Sequence, residues 1–181
     1  MSAPAKPSVD RLFFTGYRGS GKTTVARLVA QQLGWDCVDS DDVVEQLAGK
    51  AIAQIFADQG EPAFRDLEAT VVDELCAADA TVVALGGGAV LRATTRERLR
   101  AAGPVVWLRA SAETLAGRIA GDATSGARRP RLTGLSGLAE VERVLTEREP
   151  IYRECATVAI DGEGREPERI ADEVVAWLSG A

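Results

Sequence analysis

The stretch RLFFTGYRGSGKT, residues 11–23, decides the fold. It begins as an apolar run typical of a buried strand and continues into the pattern G-x-x-x-x-G-K-[ST] over Gly16–Thr23. Apolar residues then recur at helical spacing, at Val25, Leu28, Val29 and Leu33. A glycine-rich turn between a strand and a helix predicts a loop whose backbone N–H groups point at phosphate oxygens.

The side chains of this loop have chemical roles that the motif assigns. Lys22 is placed to reach the outer phosphates of a nucleoside triphosphate, and Thr23 offers a hydroxyl to Mg²⁺. A glycine-rich turn that matches by chance is the alternative, and the strand before it and the helix after it argue against that reading. The loop alone does not reveal what the protein does with the nucleotide. The predicted ATP-binding residues in the loop are Gly19, Ser20, Gly21, Lys22, Thr23 and Thr24.

Further strand-like runs recur along the chain. They are WDCVD (35–39), TVVAL (81–85), VVWL (105–108) and TVAID (157–161). Helical periodicity separates them, including a helix through residues 64–75 and a last helix that Pro167 opens. Alternating strands and helices predict an α/β fold with a five-stranded parallel sheet flanked by helices on both sides. We expect one domain over residues 1–181, with a flexible start at residues 1–9.

The composition excludes several mechanisms. The 181 residues contain no histidine and three cysteines, and the formal net charge is -6. Without imidazole there is no Ser/His/Asp or Cys/His catalytic arrangement, so a general base must be a carboxylate or a lysine. The acidic balance argues against a nucleic-acid partner, and no apolar run reaches the roughly 18 residues of a membrane span. Three widely separated cysteines and the lack of a signal peptide favour a reducing, cytoplasmic location over a reactive thiol.

Two aspartates follow the second strand, where open α/β sheets place their ligand sites. Asp39 and Asp41 are two residues apart, so in an extended chain both side chains lie on one side. Asp39 is therefore a candidate to hold water around Mg²⁺, and Asp41 is a candidate to face an acceptor hydroxyl. A helix N-cap is the alternative explanation, but capping needs only one of them. Whether Asp41 removes the proton or only orients the hydroxyl stays open.

Four more motifs carry groups suited to anions. FRDLE places Arg65 and Glu68 three apart on one helical face, so the carboxylate can orient the guanidinium, although a surface ion pair is the alternative. Three glycines, Gly86–Gly88, follow a buried strand and can expose backbone N–H groups to a ligand. REPIYR contributes Arg148 near the end of a helix, and RRPRL contributes Arg129.

RRPRL lies in a polar interval, residues 121–137, that has no periodic apolar face. An irregular segment of that length inside a compact domain predicts a mobile lid. Three of its arginines, Arg128, Arg129 and Arg131, are candidates to reach the γ-phosphate. The place of Arg129 before Pro130 favours Arg129.

The order of these motifs, from the phosphate loop through DSD, FRDLE, GGG and RRP to REPIY, resembles that of shikimate kinases from about Leu12 to the final helix. The resemblance implies a three-layer P-loop kinase fold and transfer of the γ-phosphoryl group of ATP, with Mg²⁺, to the 3-hydroxyl of shikimate. The implied roles are catalysis by Asp41, Lys22 and Arg129, ATP contacts from Arg118 and Arg129, acceptor contacts from Asp41, Arg65, Gly87 and Arg148, and metal contacts from Thr23 and Asp39.

Two other functions remain as alternatives. Another small P-loop kinase, acting on gluconate or a nucleoside monophosphate, would share the phosphate loop, but FRDLE and GGG together favour a compact ring acid. An ATP-binding module without transfer chemistry would not need Lys22, Thr23 and Asp41 together. We expect ATP and shikimate as the small-molecule partners, no nucleic-acid or membrane partner, and a monomer.

Overall fold

Five parallel strands form a single sheet in the order β2-β3-β1-β4-β5. A computed structural model of the protein describes residues 9–122 and 137–180. The strands are β1 (Arg11–Thr15), β2 (Asp36–Asp39), β3 (Thr81–Ala84), β4 (Val105–Arg109) and β5 (Val158–Asp161). All five strands expected from the sequence are present, which confirms the predicted α/β fold.

Seven helices flank the sheet in the described residues. They are α1 (Lys22–Leu33), α2 (Ser40–Ala48), α3 (Ile52–Leu75), α4 (Ala93–Ala102), α5 (Ala112–Gly121), α6 (Leu138–Cys155) and α7 (Pro167–Leu178). Helices α4 and α5 were not identified from the sequence. Helix α4 buries only Thr95 and Leu99, and a helix with so narrow an apolar face gives little periodic signal. Helix α5 packs Leu115 and Ile119 on one face, a short pattern that was overlooked.

The sheet residues alternate between two cores. Phe13, Val83 and Val105 face one core, which α2, α3, α4 and α6 cover. Phe14 and Val106, on the opposite face, pack in a second core with α1 and α7. Both faces of the central strands are buried, which explains the continuous apolar runs in the sequence.

The helices that follow β1 and β3 leave the sheet on opposite sides. Val25 and Val29 of α1 belong to one core, whereas Leu99 of α4 belongs to the other. Because β1 and β3 are neighbours, their connections separate and open a crevice at the carboxyl ends of the two strands. Ligands of open α/β sheets bind in such crevices, so the fold itself points to the loops after β1 and β3.

Helix α3 is interrupted at Gly60, whose φ of 80° and ψ of 174° are not helical. Only glycine adopts this conformation readily. Pro62 then lies in the first turn of the second segment, where its missing N–H costs nothing. Helical conformation resumes after Gly60, so Arg65 lies near the start of the second segment of α3.

The predicted lid at residues 121–137 lies outside the described residues except at its two ends, and so do Arg128, Arg129 and Arg131. The flexible start at residues 1–9 also lies outside them, apart from its last residue. The expectation of one domain over residues 1–181 stays a prediction. Across the described ranges, no helix combines the length and apolar character that a membrane crossing requires.

The three cysteines are free thiols within the described chain. Cys155 is buried, and burial raises the pKa of its thiol to about 11. Burial also raises the pKa of the Cys37 and Cys76 thiols. A thiol with a raised pKa stays protonated near neutral pH and is a poor nucleophile, which fits structural cysteines.

Candidate active site

The loop after β1 has the backbone curl that its glycines predicted. Gly16, Gly19 and Gly21 have φ values of 139°, 78° and 92°, respectively, a region that other residues rarely adopt. Lys22 is only 8% exposed, and its Nζ donates to the carbonyl oxygens of Gly16 and Tyr17, both at 2.8 Å. The ammonium group is therefore held over the loop, where a phosphate chain can take the place of these carbonyl acceptors.

Thr23 and Asp39 meet at the first turn of α1. The Thr23 hydroxyl donates to Asp39 Oδ2 at 2.9 Å, and the Asp41 backbone N–H donates to Asp39 Oδ1 at 3.0 Å. Asp39 is therefore the N-cap of α2. Because capping is provided by Asp39, it does not account for Asp41, which lies in the first turn of the same helix.

The environment of Asp39 suits a divalent cation. Burial and then the neighbouring Asp41 carboxylate raise the pKa of Asp39, against the hydrogen bonds from Thr23 and the Asp41 backbone. A cation would relieve this crowding of negative charge, and hydroxyl and carboxylate oxygens are the ligands that Mg²⁺ prefers. Within residues 9–122 and 137–180, no group of three or more Cys, Asp or Glu side chains could hold a metal ion. A cation beside Thr23 and Asp39 would thus depend on further oxygens from the nucleotide.

The turn Gly86–Gly88, after β3, lies against both the phosphate loop and the end of β2. The Gly86 N–H donates to Ser40 Oγ at 2.9 Å, which ties the turn to the segment that carries Asp39 and Asp41. A Cβ on Gly87 would lie 3.3 Å from the carbonyl oxygen of Gly16. The turn and the phosphate loop therefore approach each other by backbone alone.

Two arginines reach the same turn from different helices. A Cβ on Gly88 would lie 2.6 Å from Arg65 Nη2 and closer still to Nη1, so the guanidinium occupies the space that a side chain would fill. Arg148 Nη1 donates to the carbonyl oxygen of Gly87 at 3.3 Å, and the Tyr152 hydroxyl donates to the same oxygen at 2.6 Å. The guanidinium groups of Arg65 and Arg148 thus both lie against the backbone of Gly87 and Gly88.

The Arg65 guanidinium is held by two carboxylates of its own helix. Its Nη1 donates to Glu68 Oε2 at 2.6 Å, and its Nε and Nη2 donate to Glu61 Oε1 at 3.1 and 3.0 Å. Arg65 is 8% exposed and Glu68 is 2% exposed, so this is not the surface ion pair that the sequence left as an alternative. A buried, doubly paired guanidinium is oriented before any ligand arrives.

A cavity adjoins the phosphate loop on the side of α5. It has a volume of about 500 Å³, and Gly19, Ser20 and Thr24 form one wall. Arg118, on α5, lines it and donates from Nη1 to the Gly19 carbonyl oxygen at 3.3 Å. The connection between β5 and α7 forms the remaining wall, including Arg165. This cavity lies where the nucleoside part of a bound nucleotide would extend from the loop.

Sequence reasoning missed three groups that build the site. Ser40, Glu61 and Tyr152 hold the turn or Arg65 in place, yet none was assigned a role. Helical spacing carried a signal for two of them, because Glu61 precedes Arg65 by one turn and Tyr152 follows Arg148 by one turn. The contact of Ser40 spans 46 residues, and no local pattern indicates it. The proposed lid arginine, Arg129, lies outside the described residues.

The family model described as shikimate kinase matches residues 18–179. The chain belongs to the shikimate kinase family. A shikimate kinase from Rhodopirellula baltica is 46% identical over 166 residues, which cover 92% of this chain and 89% of that protein. One from Pseudomonas syringae pv. syringae is 42% identical over 168 residues, covering 93% of this chain and 95% of the relative.

Solved structures agree with the sequence comparison. A shikimate kinase from Acinetobacter baumannii in complex with shikimate has a TM-score of 0.90 and 32% identity, and the match covers 99% of this chain and 98% of the other. A shikimate kinase from Aquifex aeolicus has a TM-score of 0.80 and 29% identity, with coverage of 94% and 96%. Membership of this family makes the protein an ATP-dependent kinase, and use of ATP implies a divalent metal ion. Thr23 and Asp39 fit that ion.

Replacing Gly88 with alanine should displace the Arg65 guanidinium without unfolding the protein, since the clash is with the end of a side chain. We expect the KM for the phosphoryl acceptor to rise about tenfold, the size of one weakened charge-assisted contact. Steady-state kinetics with the acceptor varied would measure it.

The matched control for that substitution is Gly117→Ala, because a Cβ on Gly117, inside α5, meets nothing within 4 Å. It should leave the acceptor KM within about twofold and raise the free energy of unfolding by about 0.5–1 kcal/mol. An equal rise of the acceptor KM in both variants would show that Gly88 does not act through Arg65.

Replacing Ser40 with alanine should leave the Gly86 N–H without its acceptor in a fully buried place. We predict a loss of about 1–3 kcal/mol in the free energy of unfolding, measured by urea denaturation. Ser179→Ala removes an exposed hydroxyl that bonds only to its own helix and should cost less than about 0.5 kcal/mol. Equal losses in the two variants would contradict a special role for Ser40.

Proposed function

We propose that this protein transfers the γ-phosphoryl group of ATP to the 3-hydroxyl of shikimate, giving shikimate 3-phosphate and ADP. The observation that carries the proposal is the convergence of Arg65 and Arg148 on the Gly86–Gly88 turn, next to the phosphate loop. Shikimate is a ring acid with one carboxylate and several hydroxyls, and two guanidinium groups suit that carboxylate. The family match and the structural relative in complex with shikimate support the same acceptor.

Binding of the acceptor depends on the two arginines. Each guanidinium contact to a carboxylate contributes about 1.5–3 kcal/mol when shielded from water. Glu61 and Glu68 already orient Arg65, so its binding energy is not spent on ordering the side chain. Gly87 offers backbone atoms beside Arg148, so the ring is held at its carboxylate end and its far hydroxyls are directed toward the phosphates.

The phosphate chain is held from the opposite side of the crevice. We assign the phosphates to the backbone of Gly19, Ser20 and Gly21, just before α1, and to the side chains of Lys22 and Thr24. Mg²⁺ is the divalent ion that we propose beside Thr23 and Asp39, where it supplies charge neutralisation for the transferring phosphoryl group. We assign Arg118 to the nucleoside and, by resemblance, Arg129 to the γ-phosphate.

Asp41 is the carboxylate that we assign to the reacting hydroxyl. With no histidine in the chain, it either accepts the proton or holds the hydroxyl in line while the proton passes to the transferred phosphoryl group. Phosphoryl transfer needs mainly alignment and charge stabilisation, so either role suffices.

The competing functions have less support. A gluconokinase from Sinorhizobium meliloti has a TM-score of 0.55 and 17% identity, which indicates a shared fold and nothing about the acceptor. A non-catalytic ATP-binding module has no use for two arginines aligned beside the phosphate loop. As part of the same proposal, we place the protein in the cytoplasm as a monomer whose partners are ATP and shikimate, without nucleic acid or membrane.

A panel of acceptors tests the proposed function directly. ADP release would be measured with ATP and Mg²⁺ in the presence of shikimate, quinate, gluconate or AMP. We expect turnover well above the ATP-only background with shikimate and not with gluconate or AMP, because gluconate is an open chain and AMP has no carboxylate for the arginine pair. Turnover with gluconate or AMP, and none with shikimate, would refute the assignment.

Asp41→Asn should lower kcat by at least about 100-fold while leaving the affinity for ATP within about threefold, because the carboxylate serves only the transferred proton and the acceptor hydroxyl. Asp42→Asn is the matched control, since Asp42 lies beside it in the first turn of α2 but is exposed. Single-turnover phosphorylation and ATP titration would separate the two effects. Near-native turnover of Asp41→Asn would show that the Asp41 carboxylate has no part in the transfer and only interacts with the N-terminus of α2.

A further inference from the structure

The cavity beside the phosphate loop, which we take as the nucleoside site, has walls that come from distant parts of the chain. Gly19 and Ser20 belong to the phosphate loop, Arg118 belongs to α5, and Arg165 belongs to the connection between β5 and α7. The binding strength of such a cavity depends on how firmly its walls are held at the right separation, since ordering them on binding costs affinity.

Glu163 joins two of these walls, although it does not line the cavity itself. Its Oε2 accepts the Ser111 backbone N–H at 2.8 Å, and its Oε1 accepts the Thr114 hydroxyl. Ser111 is the N-cap of α5, Thr114 lies in its first turn, and Arg118 lies one turn beyond Thr114 on the same helix. The Glu163 side chain, in the β5–α7 connection, therefore hydrogen-bonds to the N-terminal end of the helix that carries Arg118.

The connection around Glu163 is itself well supported. The Glu163 N–H donates to Asp161 Oδ1 at 2.9 Å, and the Gly162 N–H donates to the Arg109 carbonyl oxygen at 2.9 Å. Arg165 Nη1 donates to the Asp161 carbonyl oxygen at 2.9 Å, and its Nη2 lies 2.5 Å from Glu173 Oε2. The connection that Glu163 joins to α5 is therefore the same one that carries Arg165.

The bonds to α5 favour the charged form of Glu163. The Ser111 N–H, and then the Thr114 hydroxyl, lower the pKa of the Glu163 carboxyl. A carboxylate at the start of a helix also interacts favourably with the unpaired N–H groups there. Because Glu163, Ser111 and Arg118 are all exposed, this bridge lies outside both sheet cores, and its loss should leave the fold intact.

We infer that Glu163 is a positioning residue for the nucleotide. Its hydrogen bonds to Ser111 and Thr114 hold Arg118 and Arg165 at the separation that a nucleoside diphosphate requires. The inference rests on the proposed function, since it takes this cavity as the nucleoside site. It predicts an effect on nucleotide affinity that is absent from the acceptor side, where Arg65 and Arg148 are held by other helices.

The test is ADP binding, measured by isothermal titration calorimetry with Mg²⁺ and without acceptor. We expect Glu163→Ala to weaken ADP binding about three- to tenfold, the size of one lost hydrogen bond between the walls of the cavity. The KM for ATP should rise by a similar factor, while kcat and the shikimate KM stay within about twofold. Glu163→Gln retains a carbonyl oxygen for Ser111 and should recover most of the affinity.

Two further variants separate positioning from charge and from general destabilisation. Glu113→Ala removes a carboxylate from the same first turn of α5 and should leave ADP binding within about twofold. Thr114→Val removes one of the two donors, and its effect should largely disappear when Glu163 is already alanine.

Three outcomes would overturn the inference: unchanged ADP affinity in Glu163→Ala, equal weakening in Glu113→Ala, or equal rises in the KM values for ATP and shikimate. These outcomes are distinguishable from failure of the proposed function, because ADP binding is measured without an acceptor. If shikimate were not phosphorylated while the ADP series behaved as expected, the acceptor assignment alone would fail.

Discussion

The site depends on one close approach of backbone to backbone. The Gly86–Gly88 turn lies so near the phosphate loop that a single Cβ on Gly87 would press on the Gly16 carbonyl oxygen, and one on Gly88 would displace Arg65. Ser40, Arg148 and Tyr152 hydrogen-bond to the backbone of this turn, and the missing side chain of Gly88 leaves room for Arg65. The space that a side chain at Gly88 would fill is instead occupied by the Arg65 guanidinium, which we propose binds the acceptor carboxylate.

Electrostatics explain why an acidic protein can bind two anions. The net charge of -6 describes the whole chain, but the crevice gathers Lys22, Arg65 and Arg148 around the ends of β1 and β3. Glu61 and Glu68 reduce the local positive charge, yet they also fix the Arg65 guanidinium in one orientation. The two carboxylates weaken the attraction of the site for anions in general, but they orient the guanidinium for a bidentate contact. Such a site suits one small carboxylate better than a polyanion.

Much of this architecture could be predicted from sequence, because its signals are local. The strand, glycine loop and helix of residues 11–33 appear as contiguous patterns, and all five strands were located as short strand-like runs. Helix α4 was missed because it buries only two side chains, and α5 was missed although Leu115 and Ile119 lie one turn apart on it. Arg65 was singled out by its spacing from Glu68 and Gly87 by the triple glycine after a strand, with their acceptor roles implied by the family resemblance. The bonds of Ser40 to Gly86 and of Glu163 to Ser111, in contrast, join positions 46 and 52 residues apart. Such contacts depend on how the strands are ordered in the sheet, and no local pattern contains that information.

The central claim is that the Gly86–Gly88 turn acts on the acceptor by leaving, at Gly88, the space that the Arg65 guanidinium occupies. A double-mutant cycle on kcat/KM for shikimate, combining Gly88→Ala with Arg65→Ala, tests it most directly. If the turn acts through the guanidinium, Gly88→Ala should have an effect of no more than about twofold once Arg65 has been truncated. The same loss in both backgrounds would mean that the turn and Arg65 act independently, and it would contradict this account.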